Sequence, residues 1–102
     1  MALTKMASAI AAANTLTTLY TVPALTTSNA TLIICNGSDN QVEVDVAIAA
    51  LATPTAGEYI AKGMPLAPGE TKTLTTIITA AELVVVKTTS AGVSFRLAGD
   101  VV

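Results

Sequence analysis

From Gln41 to Ile48 the apolar positions recur every second residue: Val42, Val44, Val46 and Ile48 share one face, while Gln41, Glu43 and Asp45 share the other. A period of two held this long predicts a strand with one buried face. The preceding run, Ala30 to Asn36, carries Leu32 and Ile34 on one side and Ile33 and Cys35 on the other. It is apolar on both sides, and cover is expected on both. The connection Gly37-Ser38-Asp39-Asn40 is short and made of turn formers, which predicts that these two strands form an antiparallel hairpin.

The same reading extends along the chain. Leu16 to Val22 predicts a strand stopped by Pro23, which has no N–H to give a central ladder. Glu58 to Lys62 predicts a short strand leading into the strongest turn, Pro68-Gly69, where proline presets the first central φ and glycine accepts a positive second one. Thr71 to Ile78 follows, with Leu74, Thr76 and Ile78 alternating against Thr73, Thr75 and Ile77. After Ala80-Ala81-Glu82 come Leu83 to Thr88 and a last strand, Val93 to Leu97, which points Val93, Phe95 and Leu97 one way and Ser94 and Arg96 the other. About seven short strands with tight turns and no helical alternation predict an all-β, antiparallel β-sandwich of immunoglobulin-like or jelly-roll type. The stretch Lys5 to Ala13 is alanine-rich. Propensity alone makes it a short helix capped by Thr4, while an extended arm adding a strand to a neighbour's sheet edge is the alternative.

Composition narrows the function more than the fold. Of 102 residues, 52 % are apolar and 12 % charged, with a net charge of −2, so the chain has material for a core and is not a polar disordered segment. Aromatic residues are 3 % and Phe95 is the one phenylalanine. A core of small aliphatic side chains is light for a domain of this size, and a high apolar fraction then implies surface covered by neighbouring subunits. Lys5, Lys62, Lys72, Lys87 and Arg96 are scattered, which gives no basic patch for phosphates and argues against direct nucleic-acid binding. No apolar run approaches the ~18 residues of a membrane span, and no secretory signal is visible at the start.

The chain has no histidine, which removes the usual general base and the commonest transition-metal ligand. No phosphate loop, dinucleotide fingerprint or nucleophile elbow is present. Glu43 and Asp45 fall on one strand face, but a calcium site needs six or more oxygens, so a solvated face explains them. Cys35, the single cysteine, has no internal disulfide partner and reads as a small buried hydrophobe. No catalytic, cofactor-binding or metal-ligating residue is assigned, and the chain reads as a protein that is not an enzyme.

Ala12-Ala13-Asn14-Thr15-Leu16-Thr17-Thr18-Leu19-Tyr20-Thr21-Val22-Pro23-Ala24, followed by Ala30-Thr31-Leu32-Ile33-Ile34-Cys35-Asn36, resembles a group of small tailed-phage virion proteins. These share a "TTLYTVPA" segment and then a strand ending in "CN". Further similarity lies in Glu58-Tyr59-Ile60, in the turn at Pro68-Gly69-Glu70, and in the last hairpin, Leu83 to Val86 with Val93 to Leu97. The resemblance covers most of the chain; the segment Leu51 to Gly57 is longer here. It implies a β-sandwich (residues 15–102) preceded by an extended N-terminal arm (residues 1–14), made in the host cytoplasm and carried in the virion.

The function this implies is structural: a capsid decoration or cement subunit, or a tail or neck component, whose partners are further copies of itself and other virion proteins such as the major capsid or tail proteins, with neither nucleic acid nor membrane. The alternative is a receptor- or carbohydrate-binding module on a tail fibre or baseplate that uses the loops Ser38 to Asn40, Ala52 to Gly57 and Ser90 to Gly92; scarce aromatic residues argue against sugar. Interface candidates are Leu3, Met6, Ile10, Tyr20, Ile33 and Tyr59, the tyrosines because tyrosine is enriched at interfaces.

Overall fold

The structure, a computed structural model, describes residues 3–10, 12–22, 27–79 and 81–101, and for residues 3–6, 28, 100 and 101 the backbone path alone. Eight strands follow one another: β1 (Leu3–Ile10), β2 (Thr17–Thr21), β3 (Ser28–Asn36), β4 (Val42–Ala49), β5 (Tyr59–Leu66), β6 (Thr71–Ile78), β7 (Leu83–Thr88) and β8 (Val93–Val101), with a 3-10 turn at Ala56–Glu58. They form two four-stranded antiparallel sheets. Sheet I has the order β1-β8-β3-β6 and sheet II the order β2-β7-β4-β5. Packed face to face they make a β-sandwich, and this strand order is the jelly roll, two interleaved Greek keys. Of the two sandwich types expected from sequence, the immunoglobulin-like one is set aside, because it pairs its first two strands within one sheet and here β1 and β2 lie in different sheets.

Alternation decides the core. Val42, Val44 and Val46 of β4, Val84 and Val86 of β7 and Leu66 of β5 point inward from sheet II. They meet Ala30, Leu32 and Ile34 of β3, Ile78 of β6 and Val93, Phe95 and Leu97 of β8. All are essentially inaccessible to water. Phe95 is the one aromatic ring among the fully buried described side chains, and burial of these apolar groups, each contributing about 1.5–3 kcal/mol, is what holds the layers together.

The strand positions follow the alternation, but the pairing differs from expectation. β3 and β4 are not a hairpin: β3 lies between β8 and β6 in sheet I, and β4 between β7 and β5 in sheet II. The turn formers at 37–40 carry the chain across the sandwich, so that the apolar faces of β3 and β4 meet instead of sharing a ladder. The last two strands, β7 and β8, are likewise split between the sheets. Residues 3–10 are a strand, not a helix, and they pair with β8 of the same chain. This raises the number of described strands from the expected seven or so to eight.

Asn36 organises the end of the sandwich where the chain crosses. Its side chain is fully buried. Nδ2 donates to the carbonyls of Asn40 (2.8 Å), Leu66 (3.1 Å) and Ala67 (3.2 Å), and Oδ1 accepts from Ser38 N–H (3.0 Å) and Ser38 Oγ (2.6 Å). Its backbone bonds the 67–70 turn through Asn36 N–H to Glu70 (2.9 Å) and Gly69 N–H to Asn36 (2.8 Å). One amide thus ties the β3–β4 crossing to the β5–β6 crossing, where it satisfies carbonyls that burial would otherwise leave unpaired. The β5–β6 turn is the type II turn expected: Gly69 has φ +77 and Glu70 N–H bonds Ala67 C=O at 3.0 Å. Gly99 is required for a different reason, since a Cβ there would stand 2.1 Å from the Asn29 carbonyl oxygen of the adjoining β3.

Candidate functional site

The two outer faces of the sandwich are built from the same alternation but end differently. On sheet II the outward residues of β4, Glu43, Asp45, Ala47 and Ala49, stand beside Lys87, Val85 and Leu83 of β7. Asp45 bonds Gly63 N–H (2.8 Å) and pairs with Lys62 (3.3 Å), whose ammonium lies 4.3 Å from the centre of the Tyr59 ring. This fixes the irregular part of β5, where the register with β4 slips. Ala47, Ala49 and Val85 are buried although they face outward. The loop that contains the 3-10 turn packs against β4 and provides cover.

That loop is held shut by one carboxylate. Glu58 accepts from Thr55 N–H (2.8 Å), Thr55 Oγ1 (3.2 Å) and Ala50 N–H (3.1 Å). The backbone bond from Thr55, and after it that from Ala50, holds the Glu58 pKa below its ordinary value. The same arrangement recurs at other turns, where Glu70 accepts from Ala67 N–H (2.9 Å) and Glu82 from Thr79 N–H (2.7 Å). For Glu70 the Ala67 bond, assisted by the charge of Lys72, again lowers the pKa.

Among the described residues no loop covers sheet I in this way. Its register aligns Ile10, Ser94, Cys35 and Thr71 in one outward row and Ser8, Arg96, Ile33 and Thr73 in the next. Thr31 and Thr75 share a third row, their hydroxyls 3.5 Å apart, and Ile77 ends the face on β6. Ile10 is 69 % exposed, Ile77 65 % and Ile33 37 %. Arg96 is the one charged group among the described side chains of this face. Ser8, Ile10, Ile33, Cys35, Ser94 and Arg96 surround a shallow concavity of about 400 Å³. The described side chains of this face thus offer isolated isoleucines and little charge, apolar area that a partner could cover. Among the described residues no cluster of three or more His, Cys, Asp or Glu side chains is placed to hold a metal ion, and no helix is long and apolar enough to cross a membrane.

Of the interface candidates, Ile10 and Ile33 come together on the sheet I face. Tyr59 lies on the opposite side of the molecule under Lys62. Tyr20 packs against the core, so its ring serves the sandwich interior. The side chains of Leu3 and Met6 lie outside the described residues. Cys35 is half-exposed, not buried as expected, because it belongs to the outward row of β3; the two-sided cover expected for that strand is present on the inner side only. Sequence reading missed Arg96 and Ile77 as members of this face, since only the register brings them there. The three loops considered as a binding surface do not converge. Ser38 to Asn40 and Ser90 to Gly92 meet at one end, where Gly37 N–H bonds Gly92 C=O at 3.0 Å, whereas Ala52 to Gly57 follows the far end of β4. No protein-family model and no curated protein matches this chain.

Proposed function

We propose that this chain is a structural subunit of a tailed-phage particle, which works by packing against copies of itself and against other virion proteins. The observation that carries the reading is the outer face of sheet I: four strands wide, nearly free of charge among its described side chains, and exposing Ile10, Ile33 and Ile77. The jelly-roll order supports it, since this architecture is common in capsid domains, as does the resemblance of residues 12–36 to small virion proteins. Decoration of the capsid and a place at the tail or neck both fit a subunit of this kind. A receptor-binding module is less well supported, because its three loops are divided between opposite ends of the sandwich.

Mass spectrometry of purified particles from a phage encoding this chain tests the proposal. The chain is expected in many copies per particle, retained through density-gradient purification. Its absence from the particle would overturn the assignment. For the chain by itself, light scattering after size exclusion over a hundredfold dilution is expected to show a trimer, hexamer or larger ring.

A further inference from the structure

Among the described strands, β1 and β6 stand at the margins of sheet I and β2 and β5 at those of sheet II. A margin strand offers unpaired N–H and C=O groups to other strands, and proteins blunt such edges with bulges, prolines, charges or short length. Three of these margins are blunted. β1 slips register between Lys5 and Ala7. β2 is five residues long and slips between Thr18 and Tyr20. β5 slips twice against β4, takes a positive φ at Gly63, has no N–H at Pro65 and carries the Lys62 ammonium.

β6 has none of these devices along most of its length. It pairs with β3 at eight consecutive positions, from Ser28 opposite Ile78 to Cys35 opposite Thr71, without a slip, and contains neither proline nor glycine. Its one charged residue, Lys72, lies near the start of the strand, 3.5 Å from the Glu70 carboxylate. Thr73 to Ile78 is therefore an unbroken edge without charge. The outward residues Thr71, Thr73, Thr75 and Ile77 are exposed, and all are β-branched, the type that pairs well across strands.

We propose that two copies of this chain join along the open edge of β6, antiparallel β6 on β6, so that two sheets I of four strands become one sheet of eight. This rests on the self-association put forward above and names the contact that starts it. Charge selects the direction. Parallel edges would set Lys72 beside Lys72, whereas antiparallel edges carry the two lysines to opposite ends of the pair. A two-fold axis normal to the sheet produces that arrangement. Residues directly opposite share a face, so the β-branched row of one copy meets that of the other.

Area supplies the need for a pair. Four strands of eight residues cover about 500 Å², below the roughly 800 Å² per partner of a standard interface. Joined edge to edge, two copies present about 1,000 Å² of continuous sheet I face, which passes that mark. The ladder alone buries much less, so edge pairing and face packing depend on each other.

The test is hydrogen exchange read residue by residue on the unaltered chain, at concentrations where it is dispersed and where it is associated. The β6 N–H groups that point away from β3 have no strand partner in the single chain. On association they are expected to slow about ten-fold or more, while the open-edge amides of β1, at the other margin of the same face, keep their rates. Equal slowing at both margins, or none at β6, would overturn edge pairing and leave association through the sheet I face intact. Failure to associate at any concentration would overturn both. A two-fold pair also requires an even number of copies, so the hexamer is the expected mass and a trimer would overturn the pair.

Discussion

The two outer faces of this sandwich start from similar strands and reach opposite ends. Sheet II fixes its surface with charge, through Asp45 and Lys62, and packs its own loop against β4, whose Ala47 and Ala49 are buried. Sheet I presents threonines and isoleucines, with no loop above them among the described residues. The difference does not arise in the core, since both inner faces are equally dry. It arises from one long connection, Ala50 to Glu58, and from where the charged residues fall in the alternation. A small domain can therefore bury one outer face with its own chain and leave the other open to solvent.

The largest expected effect tests whether the sheets are equal inside. Ile34→Ala in sheet I and Leu66→Ala in sheet II should each cost about 2–5 kcal/mol in denaturant unfolding. A much smaller loss in one of them would mean that the faces differ because the core beneath them does. Next comes the crossing that holds the sheets in place. Asn36→Ala should cost about 2–4 kcal/mol, because it strips partners from three carbonyls and from Ser38 N–H; a near-neutral result would show that water replaces the amide.

A smaller effect should make the two faces alike. Glu58→Ala releases the clamp on the 50–58 loop, and hydrogen exchange at Thr55 and Ala50 should speed up while the protein binds more of a dye that reports exposed apolar surface. Acid should act in the same sense. Glu58 and Glu70 have folded pKa values below the ordinary 4.5, so the unfolded chain takes up protons first as pH falls. Their contribution is complete above about pH 4.5 and disappears as pH drops through the folded values. Thermal melts should show this loss, and Glu58→Gln should reduce the slope. The smallest change in stability is expected for Ile33→Lys, within about 0.5 kcal/mol of the parent. The same substitution places a second charge beside Arg96 among the described side chains of the sheet I face and should abolish concentration-dependent association; unchanged association would move the interface elsewhere.

The alternation made most of the fold legible. Val42 to Val46 and Val93 to Leu97 point where their period requires, and the Pro68-Gly69 turn has the backbone its residues dictate. Membership of a sheet was not legible. Gly37 to Asn40 signals that the chain reverses, but a reversal within a sheet and a crossing between sheets use the same local residues; the choice depends on β8 and β6 occupying both edges of β3. For the same reason the candidate face could be read only in part. Ile33 and Cys35 stood out as apolar residues on the second side of a strand, whereas Arg96 and Ile77 join them through pairings between strands far apart in sequence. Asn36 gave no signal, because its importance lies in carbonyls contributed by residues 40, 66 and 67.

The strand order also sets a timetable. Among the described strands β4 and β5 are the one pair adjacent both in the sequence and in a sheet, so every other ladder waits for distant segments to meet, a topology that folds slowly. β1 waits longest. It leaves the ribosome before the other strands of the sandwich, and its partner β8 leaves after them. For that whole interval the first strand has no ladder partner. Closing sheet I along β1 is therefore the last pairing that synthesis permits.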